Sequence, residues 1–188
     1  MYNIKILEEA YTAVIELTDN CASTDKDTLS NLYHLMRLVR SSIRDFPQDA
    51  EQLEKMKAVL DVCSAKLKRH IGKNFNQYYI EETIYNCGVK KNRLYSHLTN
   101  AHCALTWFIR KKAEKKEVGD FLRIYKIADL YIQHLFEYSD KIKASSDIEN
   151  LSVINSTLYV FILDIGHHAG YLEKAMRTEG IKFDEIKV

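Results

Sequence analysis

Between Lys90 and His97 the chain sets two lysines, an asparagine, an arginine, a tyrosine and a histidine within eight residues. Ammonium and guanidinium groups bind phosphate oxygens, while amide, hydroxyl and imidazole groups meet phosphates and base edges alike. Lys90, Lys91, Asn92, Arg93, Tyr95 and His97 are therefore the candidate nucleic-acid-binding residues. A second group lies toward the C-terminus, where Asp164, His167, His168 and Tyr171 fall at i, i+3, i+4 and i+7. On a helix that spacing puts a carboxylate and an imidazole on one face, a geometry used by metal sites in helical bundles. Such sites take ligands from several helices and no second copy of the motif occurs, so no metal ligands are assigned and no cofactor is expected. His97, His102, Cys103 and His134 have no spacing that recruits them to such a site. The patterns GxGxxG, GxxxxGK, HExxH and GxSxG are absent, and no catalytic residue is assigned.

The basic cluster sits inside a longer pattern. Gly88-Val89 precedes the polar stretch Lys90 to Arg93, followed by Leu94-Tyr95, Ser96, His97 and Leu98; Phe75 falls thirteen residues before Gly88, and Ile80 lies between them. Over residues 75–105 the chain resembles the helix-turn-helix of the Tet repressor family. The resemblance implies a transcriptional regulator that binds DNA, with a turn at Gly88, where glycine accepts positive φ, and a recognition helix beginning in the lysines. It also implies a dimer, because two recognition helices read successive half-sites. Members of that family carry the motif near the N-terminus, whereas here more than 70 residues precede it, and Thr83 and Ile84 replace the usual apolar residue and alanine. Arg93 with His97 is also similar to the arginine–histidine pair of helical ribonucleases of the HEPN class, at a shorter gap.

The elements that must position these residues read as helices throughout. Ile4, Leu7, Tyr11, Val14 and Leu17 recur every three or four residues, as do Leu29, Leu32, Leu35/Met36, Val39 and Ile43 up to Pro47. Asp49 with Gln52 reads as a capping box for a helix carrying Leu53, Met56, Leu60, Cys63, Leu67 and Ile71, ended by Gly72. A short helix through Ile80 and Ile84 ends at Cys87-Gly88. From Leu94 the stripe Leu98, Ala101, Leu105 and Phe108 stays in phase, so one long helix competes with two helices that turn at Thr99-Asn100. The run Lys111 to Glu117 reads as its solvated end. Phe121, Tyr125, Ala128, Ile132, Leu135 and Ile142 mark a further helix. A capping box at Ser146 and Glu149 opens the last, through Ile154, Leu158, Ile165, Leu172 and Met176 to Gly180. The expectation is an all-α bundle of about seven helices in one domain, residues 1–188, with a basic helix-turn-helix-like segment at 55–116 and a C-terminal helical pair at 117–188. Gly166 and Gly170 suit close approach of another helix, more often one within the chain than one from a second copy; a homodimer through the C-terminal helices is the expectation that goes with the DNA-binding reading.

Composition narrows the class. The chain is 46% apolar, with one proline and six glycines, enough for a packed core and too few breakers for an all-β or repeated βα fold. Cys21, Cys63, Cys87 and Cys103 show no C-x-x-C pairing and read as reduced, buried thiols. Glu8, Glu9 and Glu16 interrupt any apolar leader and no long uncharged apolar run occurs, so the expected place is the cytoplasm, with no membrane partner. The net charge of +1 conceals a division: residues 1–54 carry −5, residues 55–116 carry +10 and residues 117–188 carry −4. A basic middle of this size attracts polyanions if it faces solvent, or is neutralised if the acidic flanks fold over it. Two functions follow: a DNA-binding helical regulator, or a non-catalytic helical-bundle module for protein–protein interaction.

Overall fold

The computed structural model describes residues 3–21, 25–44, 46, 50–72, 93–115, 118–144, 151–178 and 180. They form six helices: α1 (Ile4–Asp19), α2 (Lys26–Ile43), α3 (Ala50–Ile71), α4 (Arg93–Lys115), α5 (Val118–Lys143) and α6 (Leu151–Thr178). The fold is all-α, and six helices stand where about seven were expected. The expected short helix through Ile80 and Ile84 and the Ser146–Glu149 capping box lie outside the described residues.

Helix ends follow local chemistry. Asn3 caps α1 by accepting from Lys5 N at 3.0 Å, and Asp25 caps α2 by accepting from Asp27 N at 3.2 Å, each supplying an acceptor that the first turn lacks. Gly72 ends α3 at φ 73°, its N–H bonded to the Lys68 carbonyl at 3.2 Å, a conformation in which a side chain would be strained. The Gln52 amide donates to Glu8 on α1 at 3.0 Å; Asp49, its partner in the expected capping box, lies outside the described residues.

Packing follows the stripes. Helices α1, α2, α4 and α5 contact one another in a ring, α1 on α2, α2 on α4, α4 on α5 and α5 on α1. Helix α3 covers the α1–α2 side, and α6 covers the α4–α5 side. Cross-helix bonds fix the directions. Arg123 at the start of α5 meets Glu16 at the end of α1 at 2.6 Å, and Lys111 near the end of α4 meets Asp25 before α2 at 2.8 Å, so these pairs run antiparallel. The core joins Leu7, Val14, Leu35, Met36, Leu60, Leu98, Leu105, Phe108, Ile124, Tyr131 and Leu158 in one cluster. Tyr131 is fully buried, and its hydroxyl donates to the Leu98 carbonyl at 3.1 Å, tying α5 to α4. On α6 the buried Ile154, Leu158, Ile165, Leu172 and Met176 form a single inward line. Among the described residues no helix is long and apolar enough to cross a membrane.

Candidate functional site

The predicted nucleic-acid-binding residues divide. Lys90, Lys91 and Asn92 lie outside the described residues; Arg93 and Tyr95 stand in the first turn of α4 with their side chains outside the description. His97, one turn on, is half-buried against α2. Helix α4 runs without interruption through Thr99 and Asn100, because Leu98, Ala101, Leu105 and Phe108 stay on one buried line. No turn divides it at that point.

His97 is placed by residues that its own segment did not reveal. Nη2 of Arg37 on α2 lies 2.7 Å from His97 Nε2. The Tyr33 hydroxyl lies 3.5 Å from Nη1 of the same guanidinium, whose centre is 5.7 Å from the Tyr33 ring. Burial, with the nearby Arg37, Arg44 and His134, pushes the His97 imidazole down to about 4. His34, one turn before Arg37, is likewise pushed down to about 4 by burial, Arg37 and His97. Both rings are therefore neutral near pH 7.

His34 also lines a cleft of about 830 Å³ between the polar sides of α2 and α4, with Asp164 of α6 in its lining. Asp164 Oδ2 accepts from His102 Nε2 at 2.9 Å, and Oδ1 lies 3.6 Å from His168 Nε2, so one carboxylate serves two imidazoles from different helices. The His102 ring stacks on Phe161 with centroids 4.3 Å apart and planes 14° from parallel. Burial lowers the His102 pKa and the Asp164 carboxylate opposes that shift. Sequence spacing grouped Asp164 with His167 and His168; the structure keeps His168, adds His102 and turns His167 toward Tyr171, 4.8 Å away. Among the described residues no group of three or more His, Cys, Asp or Glu is arranged to hold a metal ion. Cys21, Cys63 and Cys103 are free thiols and half-buried, less enclosed than expected, while Cys87 lies outside the described residues.

The basic middle is partly neutralised from the flanks. Lys111 pairs with Asp25 and Lys112 with Asp120, both at 2.8 Å, while Lys55 and Lys57 pair locally with Glu51 and Glu54. Lys66, Lys68, Arg69 and Arg110 are exposed and make no ion pair among the described residues.

A different surface stands out on α6. Tyr159, Val160, Leu163 and Tyr171 are each more than half exposed, and Val153 nearly so. They fall on one side of the helix with Gly166 and Gly170, opposite its buried line. A Cβ at either glycine would meet nothing within 4 Å, so neither serves packing among the described residues. Phe136 on α5 is also exposed. No family model, curated protein or solved structure matches this chain.

Proposed function

We propose that the protein is a non-catalytic helical-bundle interaction module that pairs with a second copy of itself through the outer side of α6. The observation that carries this reading is the row Val153, Val160 and Leu163, flanked by Tyr159 and Tyr171, on a 28-residue helix that among the described residues packs against α4 and α5. Scattered apolar residues on a surface are ordinary, but several on one side of one long helix, with Ser156 and His167 exposed among them, mark an interaction surface. A two-fold axis brings the same face of two copies together, and Gly166 and Gly170 let the paired backbones approach closely. Replacing Val160 and Leu163 together with Glu is expected to leave a helical monomer. A mass that stays unchanged on this substitution contradicts the proposal.

A second reading, a DNA-binding regulator, is favoured by Arg37 and Arg44, which set positive charge on α2 beside His97. Arg37 forms no ion pair with a carboxylate among the described residues, and the carboxylate coupled to Arg44, Asp61, is bound by Arg40. Retention on duplex DNA that weakens steeply as salt rises, and is lost when Lys90, Lys91 and Arg93 become Ala, supports this reading; absence of retention at low salt removes it.

A further inference from the structure

We infer that Arg37, with His97 and Arg44, forms a binding site for a phosphate group beside the His34 end of the α2–α4 cleft. Most cations near this face are tied to the protein's own acids: Arg40 to Asp61, Lys57 to Glu54 and Lys111 to Asp25. Arg37 is exposed and has no such partner among the described residues, yet it is not loose. His97 holds one end of its fork at 2.7 Å, and Tyr33 lies beneath it.

The kind of tether matters. A carboxylate fixes a guanidinium by cancelling its charge, whereas a neutral imidazole fixes it and leaves the charge intact. Because Nη2 donates to Nε2, the His97 proton resides on Nδ1, and the Arg37 N–H groups not given to His97 or the Tyr33 hydroxyl stay available to a ligand. Arg44 lies seven residues on along α2 and is close enough to depress the His97 pKa, so its charge adds to the same field. His34 and His134 are the other titratable groups coupled to Arg37 and His97, and neither brings a negative charge; the carboxylate coupled to Arg44, Asp61, is itself bound by Arg40. A planar fork held in place, carrying full charge and facing solvent, matches the bidentate geometry of a phosphate oxygen pair. That phosphate belongs either to a nucleic-acid backbone or to a small phosphorylated molecule.

The site is tested with inorganic phosphate and with a duplex oligonucleotide, each added to the full chain while the His97 ring nitrogens are followed by NMR. The expected result is a saturable change at His97 with phosphate at millimolar concentration, lost in Arg37→Gln and weakened about tenfold in Arg37→Lys, which keeps the charge but not the fork. Both variants change an exposed residue, and circular dichroism confirms that the helices persist. Displacement of phosphate by micromolar oligonucleotide assigns the site to a phosphodiester backbone; a response to phosphate alone assigns it to a small phosphorylated molecule and counts against the DNA reading. No response at His97, or one that Arg37→Gln leaves unchanged, overturns the inference. Self-association through α6 is unaffected by either outcome.

Discussion

Arg37 and His97 stand sixty residues apart in the chain, yet Nη2 of the arginine lies 2.7 Å from Nε2 of the histidine. This contact joins α2 to the helix that begins in the basic segment, and it makes His97 a holder of a charge as well as a member of a cluster. One of the predicted nucleic-acid residues is thereby linked to the acidic N-terminal third of the sequence.

Stability is expected to fall as the pH drops from about 6.5 to about 4. His34 and His97 are pushed down to about 4 in the fold, while in the unfolded chain they protonate near 6.5, the ordinary histidine value. Between those values the unfolded chain binds more protons, so folding is progressively disfavoured, and above 6.5 the contribution is fully present. Urea midpoints measured across this range should slope upward with pH. The slope should be smaller in His34→Gln, and an equal slope in that variant contradicts the assignment.

Asp164→Asn should lower the His102 pKa further. The carboxylate is what opposes burial at this ring, and an amide keeps a hydrogen-bond acceptor near Nε2 while removing the negative charge. Histidine NMR titrations of the two proteins provide the comparison; a His102 that titrates at the same pH in both rules out the coupling.

Removing the cap of α2 should cost more than a surface change normally does. Asp25 accepts from Asp27 N and from the Thr28 hydroxyl, and binds Lys111 at 2.8 Å; its hydrogen bond with Lys111 leads the interactions that hold its carboxyl well below the usual carboxylate range. Asp25→Ala is expected to destabilise the fold by about 1 kcal/mol through the lost cap, with a further small loss that shrinks at high salt. Chemical unfolding at two ionic strengths separates the two parts.

In the interior, Leu98→Ala should cost about 2–5 kcal/mol, because Leu98 is fully buried in α4. Tyr131→Phe should cost roughly 1 kcal/mol through loss of the bond to the Leu98 carbonyl. Thermal or urea unfolding checks both, and a Leu98→Ala protein as stable as the parent is incompatible with a buried α4.

Helix positions and inward faces were legible because each depends on spacing within a few turns. Leu29, Leu32, Leu35, Met36, Val39 and Ile43 recur at helical intervals and are buried together, and Gly72 and Gly180 mark helix ends through their positive φ. The same regularity made α4 ambiguous, since an in-phase stripe from Leu94 to Phe108 fits one helix or two, and burial of its described members accompanies one. What spacing does not carry is which faces meet. His102 joins Asp164 across 62 residues of chain and Arg37 joins His97 across 60, contacts set by helix pairing and not by local pattern. Asp164 and His168 were grouped because both lie on α6, whereas Arg37 was hidden in the acidic third, where net charge diverted attention from single cations. Gly166 and Gly170 fitted both an internal and an external partner, and only their open surroundings favour the external one.

Sedimentation equilibrium over a wide range of protein concentration tests self-association through α6 most directly. The account predicts a mass that rises from that of the 21.9 kDa chain toward twice that value as concentration increases, with Val160→Glu/Leu163→Glu held at the lower limit. A parent protein that remains at 21.9 kDa at every concentration contradicts it.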